Sequence, residues 1–179
     1  MTEGKPDSVL VEEAIAGDGD SFTELCRRYY GPMVAIAHAI LGDRHLAEDA
    51  AQQALAKAAV SLPSLRRPEQ FGSWLAAICR NAAKDLLRAS GPYRNAEVVP
   101  EAGAEHDAGE TRDAVRQALR ALEPPAREVI YLRFYDGLSY EQISAVLGIS
   151  EQAINGRLRR AKRILAEILR REGFGEVQI

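Results

Sequence analysis

SYEQISAVLGISEQAINGRLRRAKR, residues 139–163, contains two helix starts in quick succession. Ser139 is followed three residues later by Gln142, the spacing of a capping box, which opens YEQISAVLG. Gly148-Ile149-Ser150 is a tight connection, and Ser150 is a good N-cap for a further helix from Glu151. Asn155-Gly156 then poses a conflict, because Asn-Gly is the strongest short-range signal for a two-residue hairpin. The hydrophobic period resolves it. Ile154, Leu158, Ala161, Leu165 and Ile168 pass through the pair unbroken, and no strand pattern flanks it. A single helix is therefore expected from Glu151 to about Arg171, with Gly173 fitting its end.

Helix, glycine-containing turn, helix is the helix-turn-helix pattern, in which the second helix enters the DNA major groove and turns its N-terminal residues to the base edges. The buried stripe leaves Gln152, Asn155, Gly156, Arg159, Arg160 and Arg163 facing outward. No acid occurs between Gln152 and Ala166, while Arg157, Arg159, Arg160, Lys162 and Arg163 crowd the middle, where phosphate contacts would hold register. Glycine inside a helix costs about 1 kcal/mol relative to alanine. For Gly156, closer approach of the helix to DNA would offset that; a packing glycine or a tolerated defect stands beside this reading.

Outward from this motif, helical spacing recurs and strand alternation is almost absent, so the expected class is all-α. Thr111 onward, TRDAVRQALRAL is amphipathic, and Pro124-Pro125 starts AREVIYLRFYDG, which ends at Gly137. Residues 90–110 differ: prolines, glycines and Glu97, Glu101, Glu105, Asp107 and Glu110 accompany a single basic residue, Arg94. Such composition reads as a flexible acidic linker. Upstream lie a short amphipathic segment at 8–16, a helix after Asp20 broken by Gly31-Pro32, a helix from Asp43, a proline-containing loop SLPSLRRPEQ, and a helix opened by Pro68. The last carries the stripe Phe71, Leu75, Ile78, Ala82 and Leu86. Two small helical domains follow, 1–89 and 112–179, joined by a linker at 90–111.

The totals are permissive. The 179 residues carry a net charge of -3 and 46% hydrophobic residues, so any nucleic-acid partner must be met by local charge. Cys26 and Cys79 match no metal-ligand spacing and read as buried thiols of a reducing compartment. MTEGKPDSVL is no secretion signal, and no apolar run approaches a membrane span, so a soluble cytoplasmic protein without membrane insertion is expected. His38, His45 and His106 are scattered, no nucleophile lies near a base, and no phosphate-binding glycine loop occurs. No catalytic residue, metal site or cofactor is expected.

ALEPPAREVIYLRFYDGLSYEQISAVLGISEQAINGRLRRAKRIL closely resembles region 4 of bacterial sigma-70 family factors, with the compact extracytoplasmic-function (ECF) type the best match. LGDRHLAEDAAQQALAKA resembles the region 2 helix that docks on core RNA polymerase, and FGSWLAAICRNAAKDLLR the adjoining minus-ten helices. The resemblance implies a sigma factor that binds core polymerase, directs promoter recognition and DNA melting at initiation, and is held by an anti-sigma factor. It places Glu48, Asp49, Gln52 and Gln53 at the clamp coiled coil of the β′ subunit. Arg66, Arg67, Trp74, Arg80, Asn81, Lys84 and Arg88 fall at the minus-ten element, with loop Ser61–Arg67 facing a flipped base. Phe71 and Trp74 are the aromatics available there, though both also fit the apolar stripe. Ser150, Gln152, Asn155, Gly156, Arg157, Arg159, Arg160 and Arg163 fall at the minus-thirty-five element of promoter DNA, and region 4 also touches the β flap. The linker, by the same resemblance, threads toward the RNA path.

Two departures stand out. Ala54 and Leu55 replace the family's bulky aromatic in the core-binding helix, implying looser or compensated packing. Ala153, Ile154, Asn155 and Gly156 replace a common Thr-Val-Lys-Ser, implying a different minus-thirty-five sequence. The alternative is a stand-alone helix-turn-helix regulator, which would bind an operator without polymerase, usually as a dimer. The first domain, lacking a sensor or receiver pattern, argues against it.

Overall fold

The computed structural model describes residues 5–89 and 106–174, with side chains in the second segment from Asp113 onward. Eight α-helices and no strand occur among the described residues. They are α1 (Asp7–Ile15), α2 (Gly19–Leu41), α3 (Arg44–Ser61), α4 (Phe71–Ala89), α5 (His106–Arg120), α6 (Pro124–Ile130), α7 (Tyr140–Leu147) and α8 (Glu151–Arg171). The expected linker lies outside the described residues as far as 105. From His106 the chain is already helical, so α5 begins inside the segment expected to be linker.

Helices α2, α3 and α4 form the first bundle, with α1 laid across it. Asp7 of α1 accepts hydrogen bonds from Arg28 Nη1 at 2.7 Å and from the Tyr29 hydroxyl. Alanine makes up the buried face of α3: Ala47, Ala50, Ala51, Ala54 and Ala58 are all fully covered. Small side chains let helix axes approach closely. Ala54 therefore sits in a tight seam rather than a loose one, with half-buried Leu55 packed against the core beside it.

Three sequence expectations change here. α2 runs unbroken through Gly31-Pro32 and starts at Gly19, capped by Asp18, rather than after Asp20. Leu25, Tyr29, Met33 and Ile36 are buried along one continuous stripe across the proline, and that packing outweighs the missing backbone donor. Gly31 also leaves room for the second half: a Cβ there would lie 3.0 Å from Asp136 Oδ1, tight enough that the carboxylate would have to shift. In α4 the buried line is Phe71, Leu75, Ala76, Cys79 and Ala83, while Ile78, Ala82 and Leu86 are half-buried at its flank. In α8, Leu169 rather than Ile168 is the last buried residue.

The second half packs α5, α6, α7 and α8 around Leu132, Ile143, Ile154 and Leu158. α6 continues into a π-helical turn, Tyr131–Tyr135, ended by Gly137 at φ 70°. Such turns disturb the regular helix and often sit at functional positions. The capping box is present: Ser139 Oγ accepts from Gln142 N at 3.1 Å, and Gln142 Oε1 accepts from Ser139 N at 2.8 Å. Gly148 takes the left-handed conformation at the end of α7, φ 66°. Ser150 then caps α8 by accepting from Ala153 N at 3.3 Å. Each such cap contributes about 1 kcal/mol.

The halves are packed together. Arg80 of α4 and Glu128 of α6 form a two-point ion pair, Nε–Oε1 2.9 Å and Nη2–Oε2 3.0 Å. The His38 and Tyr131 rings meet tilted, at 57°, with ring centres 4.8 Å apart, and Arg44 Nη1 donates to the Tyr135 hydroxyl at 2.8 Å. α7 lies so close to α4 that a Cβ on Gly72 would be 2.9 Å from the Ala145 carbonyl oxygen. The two parts therefore share one continuous hydrophobic core.

Candidate nucleic-acid interface

The outer face of α8 is built by its N-cap and its stripe. With Ile154, Leu158 and Ala161 buried, Gln152, Asn155, Gly156, Arg159, Arg160 and Arg163 all emerge on the exposed side, with Ser150 exposed at the helix start and Arg157 half-exposed at its edge. Arg157, Arg159, Arg160 and Arg163 make no ion pair with any described residue. Their guanidinium donors are thus available to an outside partner. A Cβ on Gly156 would meet nothing within 4 Å, so it is not a packing glycine in this arrangement. Lys162 instead lies over the exposed Phe134 ring, 5.0 Å from its centre.

The residues expected at the minus-ten element divide. Arg66 and Arg67 are exposed in the loop after a 3₁₀ turn, Leu62–Ser64. Asn81, Lys84 and Arg88 are exposed along α4, with Arg88 held to Asp85 at 2.9 Å. Phe71 is fully buried, edge-on to Tyr29 at 5.2 Å, and half-buried Trp74 leans on it at 5.9 Å. Arg80 does not join this open row, because Glu128, with a side chain only 6% exposed, holds it.

On α3, Asp49, Gln52 and Gln53 are exposed on the face away from the alanine seam. Glu48 is half-buried and paired with Arg44, one turn earlier on the same helix, at 3.0 Å. The same outer face ends in Val60, 85% exposed, which polarity patterning did not single out.

The two thiols do not form a chemical site. Cys79 is buried, donates to the Met33 carbonyl at 3.3 Å, and burial pushes its pKa up to about 12. Cys26 is half-buried rather than buried, and desolvation raises its pKa too. Among the described residues no cluster could hold a metal ion, and no helix is long and apolar enough to cross a membrane.

A helix-turn-helix whose second helix carries a bare cationic row defines a DNA-binding protein. Comparison with known proteins places it further. Residues 25–92 match the model of sigma-70 region 2, and residues 112–165 that of sigma-70 region 4. The ECF RNA polymerase sigma factor SigW of Bacillus subtilis strain 168 is 28% identical over 177 residues, covering 89% of this chain and 95% of that protein. The ECF RNA polymerase sigma-E factor of Escherichia coli strain K12 is 29% identical, covering 90% of this chain and 93% of its own. Among solved structures, CnrH in complex with the cytosolic domain of CnrY aligns with a TM-score of 0.63 and 27% identity, over 92% of this chain and 97% of that one. The sigma factor RpoE in complex with the anti-sigma factor NepR from Bartonella quintana has the same fold, with a TM-score of 0.55 and 24% identity over 84% of this chain and 98% of that one. The chain belongs to the sigma-70 family of RNA polymerase sigma factors, of the ECF type.

Proposed function

We propose that the chain is a promoter-specificity subunit of RNA polymerase, without catalytic activity of its own, whose two halves present separate interfaces. The carrying observation is the pair of exposed faces in one chain: the polar row on α3 and the unpaired arginine row on α8. Asp49, Gln52 and Gln53, extended by Val60, meet the clamp coiled coil of the β′ subunit, with Glu48 at the edge of that contact. Arg66, Arg67, Asn81, Lys84 and Arg88 line the melted minus-ten strand, with Trp74 supporting them from its half-buried position. Arg80 joins them once Glu128 lets go.

On α8, Asn155 reaches a base edge or a phosphate at the minus-thirty-five element. Gln152, Arg157, Arg159, Arg160 and Arg163 surround it, and Ser150 sits at the helix start. Gly156, open on the same face, lets the backbone come close. The β flap meets region 4, and the protein works where the polymerase is, in the cytoplasm. An anti-sigma factor is the regulatory partner. Support comes from CnrH and RpoE, solved with the cytosolic domain of CnrY and with the anti-sigma factor NepR respectively.

The test separates the faces. Gln52→Ala with Gln53→Ala should weaken capture of core polymerase by at least tenfold while leaving the isolated protein's melting curve unchanged. Arg159→Ala with Arg160→Ala should leave capture intact and weaken promoter binding by the assembled enzyme by about 1–3 kcal/mol per lost contact. Equal capture by the α3 variant, or equal promoter binding by the α8 variant, would assign these faces wrongly.

A further inference from the structure

A cavity of about 180 Å³ opens where the C-terminal end of α2 meets α5 and the end of α6. His38 of α2 and Gly42 at its C-cap, Arg116 and Arg120 of α5, and Arg127 and Tyr131 from α6 and its π turn line it. Three arginines therefore line one small space. Among the described residues Arg120 and Arg127 make no ion pair, and Arg116 pairs only with the exposed Asp113, at 3.1 Å. Arg127 Nε is buried and has no hydrogen-bond partner. Burial pulls the Arg127 pKa below its usual value, against the weaker pull of Tyr131 and Glu123. His38 is pushed down as well, first by burial, with Arg44, Arg116 and Arg127 acting the same way against Asp43. It is therefore a neutral imidazole at pH 7, able to add an N–H donor without another charge.

A buried guanidinium donor without an acceptor is costly unless an anion supplies one. A carboxylate has two oxygens, whereas three arginines around one space suit a phosphoryl group, whose oxygens take forked pairs of N–H bonds. The volume is below the roughly 300 Å³ at which drug-sized ligand pockets begin. Val115 and Leu119 give the cavity an apolar side that suits a short organic tail.

We propose that this cavity binds a small phosphorylated anion, inorganic phosphate or a small phosphate monoester, through Arg116, Arg120 and Arg127. The walls come from both matched regions, His38 and Gly42 lying within 25–92 and most of α5 and all of α6 within 112–165. The bound anion thus bridges them and favours their packed arrangement by mass action. The site goes beyond the promoter-specificity reading, and its existence does not depend on it.

The full chain is titrated at constant ionic strength with sodium phosphate, and separately with glycerol 1-phosphate, against sodium chloride. Heat of binding, melting temperature and energy transfer between one dye in each region are recorded. Saturable binding is expected, with a higher melting temperature and more transfer. Affinity should fall at least tenfold in Arg127→Gln and in Arg120→Gln, the latter an exposed change that leaves the fold alone, and should hold in the charge-matched control Arg171→Gln. Binding of inorganic phosphate supports the proposal with the free ion as ligand; binding of the ester alone supports it with an organic phosphate. No saturable binding of either, or equal binding by both arginine variants, overturns it. Loss of transcription with binding retained would count against the sigma reading and leave this site standing.

Discussion

Glu128→Gln tests how the two regions are held together. Glu128 is buried, its side chain 6% exposed, and it accepts two parallel hydrogen bonds from Arg80, at 2.9 and 3.0 Å. Removing one partner of a buried ion pair typically costs about 3–5 kcal/mol. Arg80 keeps 27% of its side chain in water, so partial hydration offsets some of that loss and about 2–3 kcal/mol remains. The cost falls on the packing between regions, because neither residue pairs within its own region. At 1.4 kcal/mol per factor of ten, the packed-to-open ratio should drop roughly 30- to 150-fold. Energy transfer between a dye on each region, together with small-angle scattering, reads this directly. Transfer should fall and the radius of gyration rise while helix content is unchanged. Replacing both residues with leucine should restore much of the packing, since apolar pairs replace buried ion pairs at little cost. Unchanged transfer in Glu128→Gln, with intact helix content, would refute the reasoning.

Asp136 offers a pH test: its Oδ2 is buried without a partner, its Oδ1 lies over Gly31, and burial raises its pKa. The packed state therefore holds the proton more tightly than the open state. That contribution is full below the ordinary value of 3.8 and is lost as pH rises through the raised one. Asp136→Asn should raise the melting temperature at pH 7, and the gain should vanish in acid; no gain at pH 7 would count against a buried, unpaired carboxylate. Gly156→Ala meets no obstacle in the free protein, so it should stabilise α8 by about 1 kcal/mol in denaturant melts. It should at the same time weaken binding of the assembled enzyme to a minus-thirty-five element; unchanged DNA affinity would remove the close-approach role. Cys79 should resist iodoacetamide in the native protein at pH 8 while Cys26 reacts slowly, because burial keeps the Cys79 thiol protonated. Alkylation of Cys79 at the unfolded rate, measured by peptide mass spectrometry, would contradict its burial.

What the sequence made legible is local. The capping box at Ser139, the cap at Ser150 and the stripe running through Asn155-Gly156 depend on neighbours a few residues away; both caps are present as expected, and so is the stripe up to Leu165. The break expected at Gly31-Pro32 failed because its cause is not local. Packing along α2 carries the helix through the proline, and Gly31 answers to Asp136, far along the chain. The same holds for Arg80: a basic residue beside Asn81 and Lys84 reads as part of one cationic face, and only the approach of α6 shows its partner. The buried line of α4 was misplaced by one position for a related reason. α4 packs on α2, α3 and α7 at once, so small Ala76, Cys79 and Ala83 go inward while Ile78 and Leu86 stay at the flank.

The most direct test of the central claim is transcription in vitro from a genomic promoter library, with core RNA polymerase and the full chain added together or singly. The account predicts transcripts only when both are present, from promoters sharing motifs near positions minus ten and minus thirty-five. Tight sequence-specific DNA binding by the chain alone, with no polymerase-dependent transcripts, would contradict it and point to a stand-alone regulator.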